Sequence, residues 1–313
     1  MTLHPSGTTA TKPRAEDARL PIGRHSGSPE QVFSDAVDLP TRKRRGQFFT
    51  PDGVAAAMVR WACRHRPQSF LDPAVGPGIF LEKLASQGIG AIRRIVAYDT
   101  DAFALDLARA RSSKESEMAV DFVLADFLCA EPAAPFDAIV CNPPYIRHHQ
   151  ARLPDSLFAQ FDERFNLRFS RLTNVYCLFL LKITTLLSPR GRAAVITPTE
   201  FLNADFGRAV KQVLLHAPGF LGFIVADYKT SLFDGLMTTA TITLFDLARR
   251  PDDVTLARTT DPDGLDACFD VFEHRRPAAI NDRDSPPAIV NTPRRELDPA
   301  AKWSTSAFHI AAT

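Results

Sequence analysis

Asn142-Pro143-Pro144-Tyr145 follows directly on Ala138–Cys141, a short apolar run of strand type. Two consecutive prolines cannot continue a central strand, so the backbone must leave the sheet here. The tetrapeptide therefore presents an amide and an aromatic ring at the carboxyl end of a strand, where open α/β sheets gather their ligands. Three acids occupy the same kind of place. Asp72 follows Phe70-Leu71, Asp99 closes Ile95-Val96-Ala97-Tyr98, and Asp126, with Phe127 after it, ends the run from Asp121. A strand-terminal aspartate taken singly is more often a turn former or a helix cap than a ligand. Four such tips between residues 72 and 142 carry more weight. In a doubly wound sheet they lie along one edge, and one elongated ligand could touch them all. A carboxylate at the second tip, Asp99 with Asp101 as the runner-up, can accept hydrogen bonds from both hydroxyls of a ribose, as in dinucleotide folds.

The elements that must position these groups are legible around them. Ser69 to Phe80 reads as the end of a strand, a glycine-bearing turn with Gly76 and Gly78, and the start of a helix whose face carries Phe80, Leu81 and Leu84. The turn lacks the third glycine of the dinucleotide fingerprint, and Pro77 predicts extended geometry for Gly76. The 27 residues from Asp72 to Asp99 suit a βαβ crossover. Ala102 to Arg111 is predicted helical, ending in the polar stretch Ser112–Glu117. Upstream, Thr50-Pro51 reads as a helix start with Thr50 as N-cap, followed by an apolar stripe of Val54, Met58 and Trp61. Pro29 to Val37 has the length of a short helix. Downstream, an apolar helix is expected over Val175–Leu187, a buried strand over Ala193–Pro198, and a helix from Thr199 to about Leu215. Gly222–Asp227 and Thr239–Phe245 look like a terminal pair of strands. Beyond Asp246 the pattern decays, with short strands expected near Val254 and Phe269.

The chain of 313 residues, 45% hydrophobic, can bury a large core, and one main domain with extensions is the first expectation. Net charge is +1, so a nucleic-acid surface must be a local patch. No apolar run is long enough to span a bilayer and no signal core opens the chain. The five cysteines are scattered without a C-x-x-C pair, which points to reduced, mostly buried thiols in the cytoplasm. Residues 1 to 28 are rich in Pro, Gly, Ser, Thr and charge, and are expected to be disordered. Thr41–Arg45 is a basic run whose plain reading is a solvated face. Ile146 to Thr173 interleaves arginines with Phe158, Phe161, Phe165 and Phe169; the basic groups suit phosphate contacts and the rings suit a small core under a lid. His148-His149 has no carboxylate or Cys partner at ligand spacing, so no metal site is expected.

Asn-Pro-Pro-Tyr after a strand, with Asp72-Pro-Ala-Val-Gly-Pro-Gly78 upstream and Gly46-Gln-Phe-Phe-Thr-Pro51 before that, resembles the motif set and motif order of the gamma-type N6-adenine DNA methyltransferases of restriction–modification systems. The resemblance covers residues 41 to about 246. It implies an α/β fold with a doubly wound, mostly parallel sheet of the class I S-adenosylmethionine-dependent methyltransferase type and an antiparallel terminal strand. It implies S-adenosyl-L-methionine as cofactor, with Thr50 and Pro51 closing over its methionine end, Asp72, Ala74, Gly76 and Gly78 facing its amino-acid portion, Asp99 on the ribose, and Asp126 and Phe127 on the adenine. It further implies Asn142, Pro143 and Tyr145 as catalytic residues acting on a flipped-out adenine of double-stranded DNA, with Phe233 as a second aromatic for that base; the residue alone reads equally well as ordinary core. The implied organisation is a disordered segment 1–28, a catalytic domain 29–250, and an extension 251–313 where a target-recognition region would begin. The expected partners are DNA, a companion chain supplying recognition and a cognate restriction endonuclease, with no membrane.

Two rival readings stay open at this point. One is an enzyme that methylates a protein glutamine or RNA through a similar tetrapeptide, although such enzymes have a different N-terminal domain in place of Gly46–Pro51. The other is a methyltransferase-fold subunit that binds without turnover, against which the intact Asp72, Asp99, Asp126 and Asn142 stand.

Overall fold

The computed structural model describes residues 27–89, 92–115, 118–151, 153–226, 239–260, 263–274 and 288–303. Most of the expected disordered segment (residues 1–26) and Phe233 lie outside the described residues. In chain order the elements are α1 (Pro29–Ala36), α2 (Leu39–Arg44), α3 (Asp52–Ala62), β1 (Ser69–Asp72), α4 (Ile79–Ser86), β2 (Arg94–Asp99), α5 (Ala102–Glu115), β3 (Val120–Leu124), β4 (Phe136–Cys141), α6 (His148–Ala151), α7 (Asp155–Phe165), α8 (Val175–Thr184), β5 (Leu187–Pro198), α9 (Gly207–His216), β6 (Phe220–Ala226), β7 (Ala240–Asp246), β8 (Asp253–Thr259), α10 (Gly264–His274) and β9 (Ala288–Pro293).

All nine strands join one sheet in the order β3-β2-β1-β4-β5-β7-β6-β8-β9. The β3-β2-β1-β4-β5 half is parallel throughout, and β7 inserts antiparallel between β5 and β6. β8 runs parallel to β6, and β9 closes the edge antiparallel. The strand order reverses direction between β1 and β4, so the expected switch point lies at the tips of these two strands. Strands buried on both faces read as continuous apolar runs: β6 and β7 are buried at every position. One core cluster packs α8, α7 and α9 on one face; another packs α3, α4 and α10 on the other. Phe158, Phe161 and Phe169 are buried together and Phe165 packs against them, so the four rings form a small core.

Several expectations are corrected. α3 starts at Asp52 with Pro51 as its N-cap residue and no side-chain cap; the Thr50 hydroxyl is engaged elsewhere. Gly76 has φ +51°, the left-handed region that glycine tolerates, not the extended geometry that Pro77 favoured. α5 continues four residues past Arg111, to Glu115, and Arg111 itself pairs with acids on two neighbouring helices. β5 begins at Leu187, and its pairing with β4 jumps between Phe136↔Leu187 and Ala138↔Arg192, so Ser188–Gly191 interrupts the ladder without ending the strand. The helix expected from Thr199 is split into a 3-10 turn over Thr199–Leu202 and α9. Its break lies where Gly207 passes the Phe201 carbonyl so closely that a Cβ would sit 1.8 Å from that oxygen. β6 and β7 are not terminal, since β8 and β9 extend the sheet. Val254 is in β8 as expected, but Phe269 is in α10, where Leu265, Cys268, Phe269 and Phe272 form the buried helical stripe.

Candidate active site

Parallel pairing of β3, β2, β1 and β4 brings Asp126, Asp99, Asp72 and Asn142 to one edge, in that lateral order. Along this edge runs a cleft of about 1210 Å³, lined by Ala74, Gly76, Asp99, Asp126, Phe127 and Asn142 among others. Thr50, Pro51, Asp72, Gly78, Pro143 and Tyr145 do not line this cleft themselves.

The cofactor-loop carboxylates act first on the backbone. Asp72 is wholly buried; its Oδ1 accepts from the Ala74 amide at 3.2 Å, and its Oδ2 is buried without a partner among the described residues. Burial pushes the Asp72 carboxyl well above the ordinary range, the Ala74 bond opposes this, and Asp99 adds to it. Asp99 accepts from Gly76 N at 2.8 Å and from Asp101 N at 2.9 Å, one bond to each oxygen, and burial raises its pKa too. A carboxylate oxygen has a second lone pair, so Asp99 can still accept from a ligand. At Gly76 an added Cβ would meet nothing, so the loop faces open space there, whereas a Cβ on Gly78 (φ +89°) would sit 3.0 Å from Ala108 of α5. Asp126 is exposed at the rim, its Oδ1 accepting from Leu128 N at 2.9 Å. The neighbouring Phe127 ring is buried between Tyr98 and Phe179, yet reaches the cleft.

The segment before α3 crosses over the Asn-Pro-Pro-Tyr loop. Gly46 (φ +64°) accepts from Tyr145 N at 3.0 Å, and a Cβ at Gly46 would lie 2.5 Å from that nitrogen. Asn142 Nδ2 donates to Phe48 O at 2.8 Å and to Thr50 Oγ1 at 3.0 Å. A backbone carbonyl can only accept, so the side-chain nitrogen must face Phe48, and Oδ1 is left as the acceptor for a ligand. The Tyr145 ring stacks against Phe48 at 5.5 Å and meets the edge of Tyr176 at 6.2 Å. Gln47 donates to Asp101 at 3.2 Å, and Phe49 packs edge-on to Phe33 beneath the Arg42 guanidinium. Arg42 of the basic run is therefore buried, not solvated. Arg111 ties α1 to the cofactor loop, pairing with Glu30 and Glu82 and donating to Pro77 O at 3.4 Å.

The roles of Phe48 and Gln47 were not visible in the sequence. A carbonyl acceptor carries no residue-type signal, and Gln47 gains its partner from a tip more than fifty residues away. Among the arginines that follow Tyr145, Arg171 pairs with Asp155 and Asp162, and Arg164 with Glu131.

The model of the N-6 DNA Methylase family matches residues 36–257. The chain belongs to that family. Within it, the chain is 33% identical over 220 residues to the Type II methyltransferase M.AccI of Acinetobacter calcoaceticus, covering 70% of this chain and 40% of that protein. The solved modification subunit of a putative type I restriction enzyme from Vibrio vulnificus YJ016 superposes with a TM-score of 0.62 at 18% identity, over 88% of this chain and 63% of that one. A putative class I S-adenosylmethionine-dependent methyltransferase from Listeria monocytogenes gives 0.57 at 16% identity, over 71% and 72%. The chain thus spans less than half the length of M.AccI. The fold is the class I methyltransferase fold, mostly parallel with antiparallel strands toward one end, and the cofactor of this family is S-adenosyl-L-methionine. The donor set at the cleft fits that cofactor. Asp99 and Asp126, which line the cleft, offer carboxylate oxygens to hydroxyl and amino groups of such a ligand, beside the apolar Phe127 ring.

Proposed function

We propose that this chain is the catalytic part of a site-specific DNA N6-adenine methyltransferase of the gamma-type motif order, acting on an adenine extruded from the duplex. The observation that carries the reading is the orientation of Asn142. Its nitrogen is held by Phe48 O and Thr50 Oγ1, so that Oδ1 is the outward acceptor. An aromatic amino group is a poor nucleophile because its lone pair is delocalised into the ring. Asn142 Oδ1 accepts a hydrogen bond from one of its N–H groups and the Pro143 carbonyl one from the other, which favours the pyramidal, reactive nitrogen. S-adenosylmethionine supplies an activated methyl group, and the chain's task is to hold donor and acceptor in line.

Asp99 receives the ribose hydroxyls, and Asp126 with Phe127 receives the cofactor's adenine. Asp72 and the Gly76 turn shape the pocket for the amino-acid end. Thr50 acts on Asn142 more directly than on the cofactor. Tyr145 fixes the plane of the extruded base, and on the face that Phe48 now covers, that ring must swing aside. Extrusion costs a few kcal/mol, which stacking offsets. Exposed Arg147 and Arg168 suit backbone phosphates. Phe233 is proposed as a second wall for the base. Recognition of a particular sequence is assigned to a region following residue 250 or to a companion chain, with a cognate nuclease as the further partner, in the cytoplasm.

The test is transfer of labelled methyl from S-adenosylmethionine to DNA, RNA and protein pools. Label confined to N6-methyladenine in DNA supports the reading. Label on glutamine or RNA alone, or on nothing, overturns it.

A further inference from the structure

Lys182 is the one charged residue of the largely apolar α8, and it is only 2% exposed. A methionine or leucine would fill this position without the cost of taking a cation out of water. Three groups surround the ammonium. It donates to Leu128 O at 3.0 Å and to Ala130 O, and it lies 5.2 Å from the centre of the Phe127 ring. The fourth neighbour, Glu131, is 3.7 Å away and mostly exposed. Burial lowers the Lys182 pKa, and Glu131 works against that.

The contacts all fall on one turn. Asp126–Ala130 leaves the tip of β3, closes on itself through Cys129 N and Ala130 N to Asp126 O, and carries Asp126 and Phe127 on the cleft wall. One helical turn before Lys182, Phe179 packs on the same Phe127 ring at 5.2 Å. α8 therefore grips both the backbone of the turn and its aromatic side chain from behind.

We infer that Lys182 is a positioning residue for cofactor binding: by holding the carbonyls of residues 128 and 130 and backing the Phe127 ring, it sets the wall on which a purine ring of the cofactor rests. The inference rests on the placement of the cofactor's adenine at Asp126 and Phe127 proposed above. Among the described residues the turn is otherwise held by its own backbone bonds, by Asp126 Oδ1 accepting from Leu128 N, and by the apolar contacts of Phe127 and Leu128. Without the ammonium its carbonyls lose their donors, and the ring loses its cation.

The test uses the full chain and titrates 5′-methylthioadenosine, the adenine-bearing half of the cofactor, by calorimetry, alongside KM and kcat for S-adenosylmethionine. Lys182→Met is expected to weaken methylthioadenosine binding about tenfold and to raise KM by more than it lowers kcat. Lys182→Arg, which restores the cation and the donors, is expected to return affinity to within about threefold of the parent. If Lys182→Met does not fold, Lys182→Gln takes its place, with an expected loss of about three- to fivefold. A folded Met or Gln variant with parental methylthioadenosine affinity overturns the inference. So does a Met variant whose loss is confined to kcat. Failure of the parent chain to bind either ligand would instead overturn the functional reading.

Discussion

Asp72 and Asp246 are both wholly buried aspartates at strand ends, and they lie at opposite edges of the same sheet. Asp246 closes β7 at the amino edge of the parallel strands, and both its oxygens are in use. Arg192 Nε and Nη2 reach Oδ2 at 3.0 and 2.8 Å, and Ala248 N reaches Oδ1 at 3.0 Å. Arg192 also binds Glu273 of α10 at 2.9 Å and the Trp61 carbonyl at 3.2 Å, and its guanidinium lies over the Trp61 ring. Burial works against ionisation of Glu273, but the Arg192 bond and charge outweigh it and its pKa is lowered. At the carboxyl edge Asp72 has one backbone bond and one orphan oxygen, and its carboxyl is pushed up. Equal burial with opposite satisfaction separates a filled ion-pair network at one edge from a buried acceptor left unpaired at the edge that carries the cleft.

Substitutions at the two edges should then fail differently. The largest expected effect is at the cleft: Asn142→Ala should lower methyl transfer at least a thousandfold, about 4 kcal/mol, while cofactor affinity by calorimetry and the unfolding midpoint stay close to the parent values. Near-parental turnover would remove Asn142 from the mechanism. At the opposite edge, Arg192→Met strands the buried Asp246 carboxylate and should cost about 3 kcal/mol of stability in denaturant unfolding. The folded fraction should bind S-adenosylmethionine normally; a selective loss of affinity there would erase the contrast.

Thr50→Val removes one of the two acceptors that hold the Asn142 nitrogen, and is expected to lower kcat about tenfold, some 1.4 kcal/mol, with little change in cofactor affinity. A loss confined to affinity would return Thr50 to the cofactor. The smallest effect concerns Asp72→Asn. A carboxyl whose folded pKa is raised above its unfolded value of about 3.8 contributes stability that is full below that value and is lost as pH rises through the folded value. The parent should therefore lose stability from pH 4 toward neutrality through this group, and Asp72→Asn should flatten that part of the profile. An unchanged profile would show that Asp72 is satisfied after all.

Much of the cleft was legible because tight turns, prolines and apolar runs are local signals. Asp72, Asp99, Asp126 and Asn142 each end such a run, and parallel pairing aligns them whatever the details of packing. The C-terminal region was less legible. Phe269 was expected in a strand because its neighbours are apolar, but Leu265, Cys268 and Phe272 make the stripe helical once α10 packs against α3 and β8. The join of β8 to β6 depends on pairing across more than thirty residues, which no local pattern records.

The amino-acid order alone determined the α/β alternation and the row of polar tips, since both follow from which residues can continue a strand and which must end it. Tertiary structure decided what each tip does. Asn142 acquires its direction from Phe48 and Thr50, more than ninety residues earlier in the chain, and Asp72 differs from Asp246 only through the partner the fold brings to each. Hydrogen-bond satisfaction of a buried group depends on which distant atoms reach it, and that is set by packing.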